Sequence, residues 1–69
     1  MKTRIKGHIV EHDATVSKGI RYLIYEINAE EAKVFFDHAF SHGSATFEDH
    51  MGIIYKLVHH GSEYKLIKG

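Results

Sequence analysis

The chain of 69 residues contains no cysteine, no proline and no tryptophan. Without cysteine it can form neither a disulfide nor a cysteine-based zinc site, the staples on which small domains most often rely. Without proline, and with no Gly/Ser-rich or single-sign charged stretch, nothing marks a linker, so residues 1–69 read as one domain. Long hydrophobic runs are missing too. Runs such as Tyr22 to Tyr25 are only a few residues long, far below the roughly 20 that a spanning helix needs. The segment from Met1 to Val10 mixes Lys2, Arg4 and Lys6 with single apolar residues instead of a signal-peptide core. A cytoplasmic protein with no membrane partner is expected. Excess charge of one sign is also absent, nine Lys+Arg balancing nine Asp+Glu, which leaves no strong polyanion-binding footprint.

At 43% hydrophobic and 26% charged, the chain has the composition of a folded globule. A chain this short buries only about 60% of the surface its unfolded form exposes, so its stability is marginal and self-association is an available support. Seven histidines make its charge acid-sensitive, since full protonation would take the net charge from 0 to +7.

One helix has both ends written out. Asn28 suits an N-cap, Glu31 lies three residues on where it can reach back to the cap, and Glu30 with Glu31 sets acid against the positive end of the helix dipole. Ala32, Phe35, Phe36, Ala39 and Phe40 form the apolar stripe of a helix with one buried side, and His42 with Gly43 ends it. Before it, the alternation from Thr3 to Glu11 predicts a first strand with Ile5, Gly7 and Ile9 on one face. A turn from His12 to Gly19 follows, and the β-branched run Ile20 to Ile27 predicts a second strand. After the helix come a short strand over Ser44 to Glu48, a turn over Asp49 to Gly52, and a hairpin of Ile53–His60 with Ser62–Lys68 around Gly61, opposing Tyr55 to Leu66 and Leu57 to Tyr64. The predicted fold is a small α+β domain, ββαβββ, a mostly antiparallel sheet, open or curled like a barrel, with one helix on one face.

No GxSxG elbow, P-loop or GxGxxG occurs, and the acid pairs Glu30–Glu31 and Glu48–Asp49 are explained by helix-start and turn chemistry. An enzyme is not expected, and no cofactor is implied. Three surfaces remain as candidates. If the second and fourth strands are apolar on both sides, one helix about 21 Å long cannot cover both faces of the sheet. The face with Leu23, Tyr25, Ile27, Ile54 and Val58 then predicts a protein-interaction or regulatory module that pairs with itself, as a homodimer, or with another protein. Nucleic acid is the second candidate partner, through Lys2, Arg4, Lys6, Arg21 and Tyr25, where basic and aromatic side chains interleave on the sheet. The third is a metal site from Glu31, His38 and His42, which share one flank of the helix, the histidines at the i, i+4 spacing of a helical ligand pair.

Overall fold

A computed structural model of residues 1–69 shows an α+β domain in which both helical segments pack on the same side of one five-stranded sheet. Strands β1 (Lys2–Ile5) and β2 (His8–Glu11) form a hairpin. A helical segment follows, built from a 3-10 turn (Ala14–Val16), the short helix α1 (Ser17–Arg21) and a π-helical turn (Tyr22–Glu26). Helix α2 (Ala29–His42) leads into β3 (Ser44–Glu48), and β4 (Ile54–His60) pairs with β5 (Glu63–Lys68). The strand order is β1-β2-β5-β4-β3, antiparallel except for the parallel β2–β5 contact, and the sheet ends in two edges without curling into a barrel.

The segment predicted as a second strand is helical. Val16, Ile20, Leu23 and Ile27 are all buried, and their spacing of i, i+4, i+7, i+11 is that of one helix face. Asp13 starts the segment, its Oδ1 accepting the Thr15 N–H at 2.9 Å. The lysine of the β1–β2 turn closes it, with Lys6 Nζ donating to the Leu23 and Ile24 carbonyls at 2.9 and 3.1 Å, which satisfies acceptors left without intrahelical partners. The predicted first strand is likewise two strands. Lys6 and Gly7 both have positive φ, 48° and 88°, the signature of a two-residue hairpin turn matched to strand twist. His8 thereby turns to the helix side and stacks on Phe36 with ring centroids 4.2 Å apart.

Helix α2 forms as its caps predict. Asn28 Oδ1 accepts the Glu31 N–H at 2.8 Å, and Gly43 at φ 91° sends its N–H back to the Ala39 carbonyl. Ala32, Phe36 and Ala39 are buried against the sheet, whereas Phe40 is 65% exposed and rests its ring beside His59. The core lies between this layer and one sheet face. Val10, Ala45, Phe47, Tyr55, Leu57, Tyr64 and Leu66 alternate inward along the strands. Phe47 stacks between Tyr22, Phe35 and Tyr55 at centroid distances of 5.1 to 5.7 Å. The β4–β5 hairpin has Leu57 opposite Leu66 and His59 opposite Tyr64. That register is two residues from the predicted one, a shift that preserves which face each side chain takes.

Candidate interaction surface

Because both helical segments lie on one face, the other face of the sheet is open. Side chains alternate along each strand, so the ladder register places Lys2, Glu11, Lys65, Val58 and Ser44 in one row across all five strands. Around this row stand Arg4, Lys56, Glu48 and Glu63, so charges of both signs are interspersed with Ile9, Val58, Ile54 and Ile67. Ile54 and Ile67 are 39% and 37% exposed. Lys2 reaches Glu63 at 3.0 Å, and the hydrogen bond to that carboxylate raises the lysine pKa above its ordinary value.

The two edges of the sheet differ. β1 is four residues long and carries Lys2 and Arg4, the short, basic form that discourages pairing with another chain. β3 carries no basic residue. His59 N–H donates to the Gly43 carbonyl at 3.0 Å, which makes 43 and 59 a hydrogen-bonded pair. Hydrogen-bonded pairs recur at every second position of an antiparallel ladder, so Ala45 and Phe47 bond to β4. Ser44, Thr46 and Glu48 direct their backbone N–H and C=O groups off the free edge.

Helix α2 packs over β3 and β4, next to this edge. Phe35 lies against Phe47 on β3, while Phe36 leans the opposite way, toward His8 and Tyr64. Glu31, Phe35, His38 and His42 run at i, i+4, i+7, i+11, which puts His38 and His42 on the β3 side of the helix. Their rings are 4.3 Å apart, and both residues are exposed. Glu31 is on the same flank about 10 Å along the axis from His38. No group of three or more His, Asp or Glu side chains within the chain is arranged to hold a metal ion.

The apolar face expected from Leu23, Tyr25 and Ile27 is not formed. In the helical segment Leu23 and Ile27 join the core, while Tyr25 is 73% exposed on the helix side. Ile54 and Val58 do lie on the open face. The basic set is divided as well: Lys2 and Arg4 are on the open face, Lys6 is occupied with helix carbonyls, and Arg21 and Tyr25 belong to the opposite layer. Those five residues therefore share no single surface.

Two polar side chains are buried: His12, for which the sequence carries no signal, and Asp49, which opens the turn expected over Asp49 to Gly52. His12 Nδ1 is 3.2 Å from the Asp13 carbonyl and Nε2 is 2.8 Å from Thr3 Oγ1. A carbonyl only accepts, so in the neutral ring the proton is on Nδ1 and the Thr3 hydroxyl donates to Nε2. This satisfies a buried histidine beside an open cleft of about 410 Å³ whose lining includes Glu11, Asp13, Lys65 and Lys68, with no concentration of charge of one sign. Asp49 holds the turn before β4, its Oδ1 accepting the Met51 and Ile53 N–H groups at 2.9 and 3.0 Å. Burial acts to raise the Asp49 pKa, but those two donors and the nearby Tyr55 hydroxyl outweigh it and hold the carboxyl below its ordinary value. Comparison with protein-family models, curated proteins and solved structures gave no match.

Proposed function

We propose that the chain is a non-enzymatic interaction module that works as a homodimer, two copies joining antiparallel along β3. The observation that carries this reading is the free β3 edge, with three residues' backbone groups directed outward and no basic residue to repel a second strand. Pairing centred on Thr46 sets Ser44 opposite Glu48 of the second copy and Thr46 opposite Thr46, so no like charges oppose each other. The same pairing at β1, centred on Thr3, would bring Lys2 against Arg4 of the second copy, like charge against like. The resulting assembly is one continuous sheet with both α2 helices side by side on the same face.

Three reciprocally bonded pairs give six backbone hydrogen bonds, together roughly 3 to 9 kcal/mol net. Association costs about 4 to 15 kcal/mol, so backbone pairing alone gives a weak dimer that depends on side chains across the seam. The monomer is already compact. Its surface of 4440 Å² is close to the roughly 4400 Å² expected for a folded monomer of this mass.

Sedimentation of metal-free protein up to hundreds of micromolar tests the reading. The wild type is expected to enter a monomer–dimer equilibrium. Thr46→Pro should abolish it while leaving the circular dichroism spectrum native, because the N–H it removes points off the edge. Val58→Glu, on the open face, should leave the dimer intact. A wild type that remains monomeric, or a dimer lost with Val58→Glu and kept with Thr46→Pro, would overturn edge pairing.

A further inference from the structure

We infer that the β3 seam creates a binding site for a divalent transition metal, its ligands being His38 and His42 from each of the two copies; the inference rests on the dimer proposed above. The chain runs down α2 and back along β3, as the 5.1 Å stack of Phe35 on Phe47 records. Thr46 is two residues into β3, about 6.6 Å from Ser44, a distance that corresponds to roughly four residues of helix. Counted back from His42, this is the level of His38. A two-fold axis through Thr46 therefore passes beside His38, and the two His38 side chains face each other above the seam with one His42 on either side.

The chemistry of the donors fits. Imidazole suits zinc, copper and nickel, and zinc takes four such ligands tetrahedrally at about 2.0 to 2.1 Å. Within one chain the pair of rings 4.3 Å apart supplies two donors, and no third His, Asp or Glu joins them. A second copy completes the set. The site lies at the C-terminal end of α2, where the helix dipole favours a cation. Glu31 on the same stripe adds negative charge at the periphery. Because two donors come from each chain, metal affinity and dimer affinity are linked: whatever factor zinc adds to dimerisation, dimerisation adds to zinc binding.

The test combines zinc titration with sedimentation in zinc and in chelator. One Zn²⁺ per dimer and a dimer at least ten-fold tighter in zinc are expected. The NMR signals of His38 and His42 should move together. His38→Ala with His42→Ala should remove the zinc effect and leave the metal-free dimer. His59→Gln with His60→Gln should leave the effect in place, which assigns it among the chain's seven histidines. Thr46→Pro should reduce zinc binding to a weak two-ligand event. A metal-free dimer that zinc neither binds nor tightens would overturn the site while leaving edge pairing standing. A protein monomeric in both zinc and chelator would overturn both. One zinc per monomer without any change in association would overturn the shared site.

Discussion

Gly19→Ala is the sharpest test of how the first helical segment meets the sheet. In an exposed helix interior, alanine is better than glycine by about 1 kcal/mol. Gly19 is buried, and its backbone is in a region open to any residue, so the substitution introduces no dihedral strain. A methyl group built there would lie 2.8 and 2.9 Å from two ring carbons of Tyr55 and 3.0 Å from a Leu66 methyl. None of these can swing aside, because Tyr55 and Leu66 are each 1% exposed and packed in the core. With contacts of 2.8 and 2.9 Å the overpacking falls in the upper part of the usual range, about 2 to 3 kcal/mol, which exceeds the propensity gain and leaves a net loss of roughly 1 to 2 kcal/mol. For a domain this size each kcal/mol moves the melting temperature by about 4 to 8 °C, so thermal unfolding followed by circular dichroism should show Tm lower by roughly 5 to 15 °C. Tyr55→Leu removes the offending ring atoms, and in that background the cost of Gly19→Ala should shrink or reverse sign, a coupling that a double-mutant cycle measures. An unchanged or higher Tm for the single variant would refute the close approach of α1 to β4 and β5.

Two further expectations concern stability. Phe36→Ala should cost about 3 to 5 kcal/mol and unfold much of the population, whereas Phe40→Ala, at an exposed ring, should change chemical denaturation by under about 1 kcal/mol; equal effects would contradict the helix orientation. The carboxyls of Asp49 and Asp13 are held below their ordinary value of 3.8 in the folded protein. Burial opposes the shift at Asp49, whereas the Thr15 hydroxyl leads it at Asp13. Their stabilisation is therefore present above that value and lost as pH falls through the lowered folded values. Urea midpoints should drop steeply below about pH 4, and Asp49→Ala should be less stable near neutrality with a shallower acid slope. A variant with the wild-type acid profile would show that Asp49 does not carry this dependence.

Helix α2 was legible because its signals are local: a side-chain cap, acid in the first turn, an apolar stripe and a left-handed glycine all concern neighbours within four residues. The alternation of β3, β4 and β5 was legible for the same reason. Residues 14–26 were misread because Ile20 to Ile27 is apolar at nearly every position, so a period of two and a period of 3.6 both fit. The spacing of Val16, Ile20, Leu23 and Ile27, with Asp13 as a cap, held the helical answer, and the presence of Gly19 in the stretch drew it toward a turn. Phe40 obeyed the stripe but lies at the margin of the buried face, 65% exposed with its ring beside His59. Of the surface, Ile54 and Val58 could be placed from alternation. The free edge of β3 could not, since which strand ends up outermost depends on β2 lying against β5, a contact between distant parts of the chain.

That contact has a kinetic consequence. Val10 pairs with Tyr64 and Glu11 with Lys65, and these are the ladder pairs that join the β1–β2 hairpin to the rest of the sheet. Everything from α2 to β5 can assemble through near neighbours, but the hairpin at the start of the chain can dock only after β5 exists to receive it. Pairings across so long a loop form late, because the entropy of closing the loop must be met before the contact stabilises anything. The amino-terminal hairpin is thus the part of the sheet that docks last, and the contacts of Lys6 with the Leu23 and Ile24 carbonyls, His8 with Phe36 and Lys2 with Glu63 form only as it does so.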